Sequence, residues 1–126
     1  MTIDARRRTR GLKARRDGRL GELLCAFWLI LKGYRILGFR VRTPQAEIDV
    51  LAFKSDVVAV VEVKRRTQID AALDAVTPRQ RDRLRRAARA LAARRPDLAH
   101  AAIRLDLVAF APGRWPRHIP DAWRET

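Results

Sequence analysis

Asp49 and, thirteen positions later, the run Glu62-Val63-Lys64 are the residues of this chain whose types and spacing could do chemistry. Side chains alternate faces along a strand, so Glu62 and Lys64 project from the same side of one strand, about 7 Å apart. They end the stretch Val57-Val58-Ala59-Val60-Val61-Glu62-Val63-Lys64, a β-branched run of the kind that makes a central, buried strand. Carboxylates at Asp49 and Glu62 would hold a hard divalent cation through oxygen, as Mg²⁺ prefers, and Lys64 would polarise water or a phosphate. The chemistry is then phosphodiester hydrolysis. The competing reading is an ordinary ion pair where a strand reaches solvent, which contributes little to stability. Glu-x-Lys alone is too short a motif to choose between them.

The elements that must position these residues follow from periodicity. Leu20, Leu23, Leu24, Phe27, Trp28 and Leu31 recur at helical spacing from Arg19 onward, and Gly33 stands where a C-terminal cap belongs. Their apolar face is expected in the core, with Phe27 and Trp28 as core residues. Tyr34 to Arg42 reads as a strand, Thr43-Pro44-Gln45-Ala46 as a turn, and Glu47 to Phe53 as a second strand. Lys54-Ser55-Asp56 makes a hairpin connection into the Glu62 strand, completing a three-strand meander. By alternation Glu47 shares a face with Asp49, either as a second acid beside the site or as a local salt-bridge partner. Leu73, Val76, Leu84, Ala87, Ala88 and Leu91 mark a second helix, with Thr77-Pro78 placed to restart it as cap and first position and Pro96 to end it. Ala102 to Phe110 is a fourth strand, and the tail beyond it is too broken by proline to type.

At 126 residues the chain is one domain, with 1–17 read as a mobile basic arm and 18–126 as the folded unit. Its 28 Lys and Arg against 14 Asp and Glu leave a net charge of +14, which points to a polyanionic partner, nucleic acid before membrane. Much of that charge lies on the second helix, with Arg79, Arg83 and Arg86 in one row and Arg81, Arg85 and Arg89 in another. Each phosphate they neutralise would release condensed counterions. The single Cys25 excludes an internal disulfide and a multi-cysteine zinc site, and a reducing compartment follows. The nine apolar residues from Leu23 to Leu31 follow a basic segment as in a secretory signal. They are too few to span a bilayer, and Lys32-Gly33-Tyr34-Arg35 follows with no cleavage site, so the cytoplasm is expected. His100 and His118 have no partner at metal-ligand spacing. Trp115 and Trp123 are expected to pack over the sheet rather than stack on bases.

The order helix, three strands, helix, strand, with an acid on strand two and Glu-x-Lys on strand three, resembles the restriction-endonuclease-like PD-(D/E)XK nucleases. Gly21-Glu22, Lys32-Gly33-Tyr34, Glu47-Ile48-Asp49, Val61-Glu62-Val63-Lys64-x-Arg66 and Arg104-Leu105-Asp106-Leu107-Val108 together are similar to the YraN family of small bacterial proteins. The resemblance runs from about Gly18 to Phe110 and implies an α/β fold with an αβββαβ core, a mixed sheet flanked by two helices. The layout is also similar to archaeal Holliday-junction resolvases. By that likeness Asp49, Glu62 and Glu22 are implied ligands of Mg²⁺ or Mn²⁺, Lys64 the catalytic lysine, and Gln80 a polar group near the site. Two residues depart from the family pattern. Ala46 stands where Gly is usual, which would strain or remove a left-handed bulge, and Gln80 stands where Lys is common.

The resemblance implies a metal-dependent endonuclease acting on DNA, branched or damaged DNA included, with Arg66, Arg79, Arg81, Arg83 and Arg86 as nucleic-acid contacts. A binding module that keeps the nuclease fold without turnover is the alternative, and a protein-interaction role with incidental charge is a third. Oligomeric state stays open, a homodimer among the options.

Overall fold

The computed structural model describes residues 19–124, so the expected basic arm lies outside it. The chain is helical over 19–31 (α1). It continues through β1 (Arg35–Arg42), β2 (Glu47–Lys54), β3 (Val57–Arg65), α2 (Ile69–Asp74), α3 (Pro78–Ala93), β4 (Ala102–Phe110) and β5 (Arg117–Ile119). The five strands form one mixed sheet in the order β1-β2-β3-β4-β5. The first three are an antiparallel meander. β4 pairs parallel to β3, in register from Val57 with Ala102 to Arg65 with Phe110. A parallel neighbour needs a crossover, and α2 and α3 supply it. The αβββαβ order expected from the sequence is therefore present, with α2 and β5 as additions.

Local chemistry accounts for the joints. Gly33, at φ +94°, ends α1: its N–H donates to the Ile30 carbonyl at 2.9 Å, and the Tyr34 N–H to that of Leu29 at 3.0 Å. This is a Schellman cap, which requires a left-handed residue at that position. Ser55 and Asp56 both take positive φ in the β2–β3 hairpin, as a two-residue turn matched to strand twist demands. The expected restart at Thr77-Pro78 is a full capping box. Thr77 Oγ1 accepts from the Gln80 N–H at 3.2 Å, and Gln80 Oε1 from the Thr77 N–H at 2.8 Å.

The sheet is covered on both faces. Leu84, Ala87, Ala88 and Ala92 of α3 pack with Leu51, Val58, Val60 and Leu105, while Cys25 and Leu29 of α1 pack with Val50, Ala52, Ala59, Val61 and Val108 on the other face. Gly21 brings α1 against β4 so closely that a Cβ there would meet the Phe110 ring at 2.4 Å. The face of α1 expected in the core is not the one the fold buries. The buried face of α1 is Gly21, Cys25, Ala26 and Leu29, whereas Leu20, Leu23, Leu24, Phe27 and Leu31 are half exposed or more. Helical spacing locates an apolar stripe but not the neighbour it meets, and this helix carries apolar residues on both sides.

Candidate functional site

β2 and β3 part where the two acids stand. Their ladder ends at Val50 opposite Val61, although β2 begins three residues earlier and β3 continues to Arg65. Past that point the Asp49 side chain replaces the missing backbone partner, with its Oδ2 accepting the Val63 N–H at 2.9 Å. Ile48 and Leu51 pack into the same cluster beneath α3, though an uninterrupted strand would put them on opposite faces. The interruption falls at Asp49, which is how a strand residue comes to aim a carboxylate into the gap.

Glu62 follows Val58 and Val60 on the α3 side of β3 and is 9% exposed. Its carboxyl lies within hydrogen-bonding reach of that of Asp49. Burial, and then the Asp49 charge, push the Glu62 carboxyl up to about 8, against the opposing pull of Lys64. Burial raises Asp49 as well, although the Val63 N–H and Lys64 hold it back. Glu62 Oε1 is buried with no hydrogen-bond partner among the described residues, a costly state for a carboxylate unless a proton or a cation occupies it. Both carboxyls therefore favour binding a positive species.

Glu62 opens on a cleft of about 200 Å³ that it lines with Glu47, Gln80 and Arg83. Glu47 is half exposed and lies 3.9 Å from Arg42, so it is a loose ion-pair partner at the rim. Gln80 lines the cleft, but its Oε1 is committed to the α3 cap. Ala46 is not among the positive-φ residues. The turn before it is held instead by Thr43, whose Oγ1 accepts the Gln45 and Ala46 N–H groups at 3.2 and 3.0 Å, so alanine is unstrained there.

Not every residue expected at the site is in the acid pair. Glu22 is held by Arg40, whose Nε lies 3.0 and 2.8 Å from its two oxygens. Among the described residues no three His, Cys, Asp or Glu side chains gather as a metal-binding group. The pair Asp49 and Glu62 is what the fold brings together. Of the arginines, Arg83 reaches the cleft, Arg66 and Arg79 are exposed, and Arg86 is exposed and pairs with Asp82 at 3.1 Å. Arg81 differs. Its guanidinium sits 5.7 Å from the Trp123 ring and its Nε is buried, so it packs instead of lining an open surface.

Sequence reading missed a second polar cluster, on the α1 side of the sheet. Asp106 is fully buried. It accepts from Arg104 Nε and Nη2 at 2.7 and 2.8 Å, from the Asp121 N–H at 3.0 Å, and lies 2.8 Å from His118 Nε2. Arg104 also donates to the Tyr34 hydroxyl at 2.6 Å, and Lys32 Nζ lies 2.6 Å from His118 Nδ1. Burial alone would raise Asp106, but the hydrogen bonds from His118, Arg104 and Asp121 outweigh it and hold the carboxyl below its usual range. The available signal was Arg104-x-Asp106, two opposite charges on one face of an otherwise apolar strand.

Residues 21–110 match the family described as uncharacterised protein family UPF0102. The chain belongs to that family. It is 62% identical over 117 residues to a UPF0102 protein of Caulobacter vibrioides, covering 93% of this chain and 94% of that protein. It is 57% identical over 122 residues to one of Caulobacter sp., covering 97% and 88%, and 50% identical over 115 residues to one of Paramagnetospirillum magneticum, covering 88% and 89%. The matched span of this UPF0102 chain runs from the Gly21 contact in α1 to the end of β4, so it contains Asp49, Glu62, Arg104 and Asp106, while His118 and Asp121 of the second cluster lie beyond it. Among the described residues no helix is long and apolar enough to cross a membrane.

Proposed function

We propose that this UPF0102 protein is a metal-dependent nuclease-like enzyme of the restriction-endonuclease-like superfamily that hydrolyses phosphodiesters in DNA, with branched or damaged DNA among its substrates. One observation carries the reading: the half-buried Asp49 and the buried Glu62 bring two carboxyls together where β2 and β3 part, and one Glu62 oxygen has no partner among the described residues. Mg²⁺ fits such a pair, because it is often held by one or two carboxylates, with waters and substrate phosphates completing its shell. When bound, Mg²⁺ or Mn²⁺ supplies neutralisation of phosphate charge and a more acidic water. Glu62, whose carboxyl is pushed up to about 8 by burial, must release its proton to take up the cation. Lys64, on the same face of β3 as Glu62, stabilises negative charge at the scissile phosphate or orients water, and Arg83 in the cleft wall holds the neighbouring phosphate. Arg66, Arg79 and Arg86 are surface cations suited to further backbone contacts.

A second reading, a DNA-binding module without turnover, is favoured by the pairing of Glu22 with Arg40, which leaves two carboxylates where three were expected. Incubation with Mg²⁺ or Mn²⁺ and duplex, single-stranded, flap and four-way-junction DNA separates the two. Metal-dependent cleavage that disappears in Glu62→Gln and Lys64→Ala supports the enzyme. Absence of cleavage on every substrate in either metal, with binding retained in both variants, supports the module.

A further inference from the structure

Helix α1 is apolar on the side that faces solvent as well as on the side that faces the sheet. Leu20, Leu23, Leu24, Phe27, Ile30 and Leu31 are 50 to 63% exposed. Their spacings of three and four residues place them in one stripe, about 16 Å long at the helical rise. Phe39 borders the stripe beside Leu23 across a cleft of about 280 Å³. Trp115, 77% exposed, extends it by stacking on Trp28 at 5.6 Å. No charged residue occurs from Leu23 to Leu31. Side chains this exposed leave on the order of 600 Å² of apolar surface in water, at the upper end for a monomer, and Phe39 and Trp115 bring the total near the ~800 Å² per partner of a standard interface.

We infer that two copies of this chain associate through α1, stripe against stripe, across a two-fold axis passing near Leu24 and Phe27. An isologous contact needs a surface complementary to itself, and a charge-free apolar stripe is one. Antiparallel crossing brings Leu31 of each copy toward the cleft between Leu23 and Phe39 of the other. Of the charged residues of that cleft, Arg19, Glu22 and Arg40, the last two already neutralise each other, and Arg19 is exposed at the start of α1. Other occupants fit less well. Residues 1–18 offer only Met1, Ile3 and Leu12 as large apolar groups among seven Arg and Lys. A helix that lies on a membrane carries its cations on the opposite face, whereas the opposite face of α1 is Gly21, Cys25 and Leu29, buried against the sheet. Because α3 covers the other face of the sheet, pairing through α1 leaves the Glu62 cleft and the arginines of α3 on the outside of each copy.

Two copies of charge +14 repel, and salt screens that repulsion. Association is therefore expected to strengthen as salt rises, the opposite of nucleic-acid binding. Sedimentation equilibrium of the full chain across the micromolar range, at low and high salt, tests this. The expected result is a concentration-dependent shift to twice the monomer mass, favoured by salt and lost in Leu24→Glu/Phe27→Glu with far-ultraviolet circular dichroism unchanged. Leu24→Cys guards against a variant that fails to fold: mild oxidation is expected to cross-link it between copies, while wild type, with only buried Cys25, stays uncross-linked. A wild type that remains monomeric at every concentration and salt overturns the inference, whether or not it then binds vesicles of anionic phosphatidylglycerol. So does a dimer that survives the double glutamate variant or in which Leu24→Cys does not cross-link.

Discussion

At the scale of single residues, the buried Glu62 carboxyl decides how this protein responds to protons and to metal. Its folded value of about 8 lies above its ordinary 4.5, so between these values the folded chain keeps a proton that the unfolded chain releases. Stability is then fully present below about pH 4.5 and falls as pH rises towards 8. We expect metal-free wild type to lose several kcal/mol across that window, read by urea titration at several pH values. Glu62→Gln should flatten the dependence. A cation takes the place of the proton, so Mg²⁺ or Mn²⁺ should raise the melting temperature of wild type at pH 8 by mass action. The gain should vanish in Asp49→Asn and Glu62→Gln, and either change should stabilise the metal-free chain by relieving repulsion. Equal metal-induced shifts in all three proteins would remove Asp49 and Glu62 from the ligand set. Cys25, pushed up to about 12 by burial and then by Asp49 and Glu22, stays a thiol and takes no part.

At the scale of elements, the two polar clusters do different work. The Asp106 cluster ties α1 and β5 to β4, because Arg104 of β4 and His118 of β5 hold the carboxylate directly, and Lys32 and Tyr34, which follow α1, reach it through His118 and Arg104. Removing that carboxylate leaves Arg104 without its buried partner. Asp106→Ala is therefore expected to cost about 3–5 kcal/mol, the usual effect of breaking one side of a buried ion pair. Chemical denaturation measures it, and a loss under about 1 kcal/mol would show that water replaces the network. A smaller effect belongs to the α3 cap. Thr77→Ala removes one hydrogen bond of the box and should cost about 1 kcal/mol, while the Gln80 side chain keeps its bond to the N–H of residue 77.

At the scale of the whole molecule, a charge of +14 on 126 residues makes association with polyanions strong and salt-sensitive. The arginines do not share it equally. Arg79, Arg83 and Arg86 are exposed along α3, whereas Arg81 is packed on Trp123. Replacing each of the first three by alanine should lower the slope of log K against log salt by about 0.9 on duplex DNA. Arg81→Ala should leave the slope nearly unchanged and reduce stability instead. Fluorescence anisotropy at several salt concentrations separates the two outcomes, and an unchanged slope in the triple variant would make the positive charge incidental.

Periodicity and turn chemistry sufficed for the meander, the crossover helix and its cap at Thr77, because β-branched runs, positive-φ turns and capping pairs are local in sequence. Alternation likewise put Glu62 and Lys64 on one face of β3, and the order of the motifs along the chain singled out Asp49 as the partner of Glu62. Tertiary structure alone decided the rest. Glu22 was read as a ligand, yet Arg40, eighteen positions away and at φ +46°, holds it, a pairing across two elements that spacing does not encode. His118 lacked any partner in sequence and found Asp106 and Lys32 through the β4–β5 pairing and the end of α1. The stripe on α1 was read as core because helical spacing records which residues share a face, not what that face meets. The close approach at Gly21 turned the opposite face inward and left the larger residues in solvent.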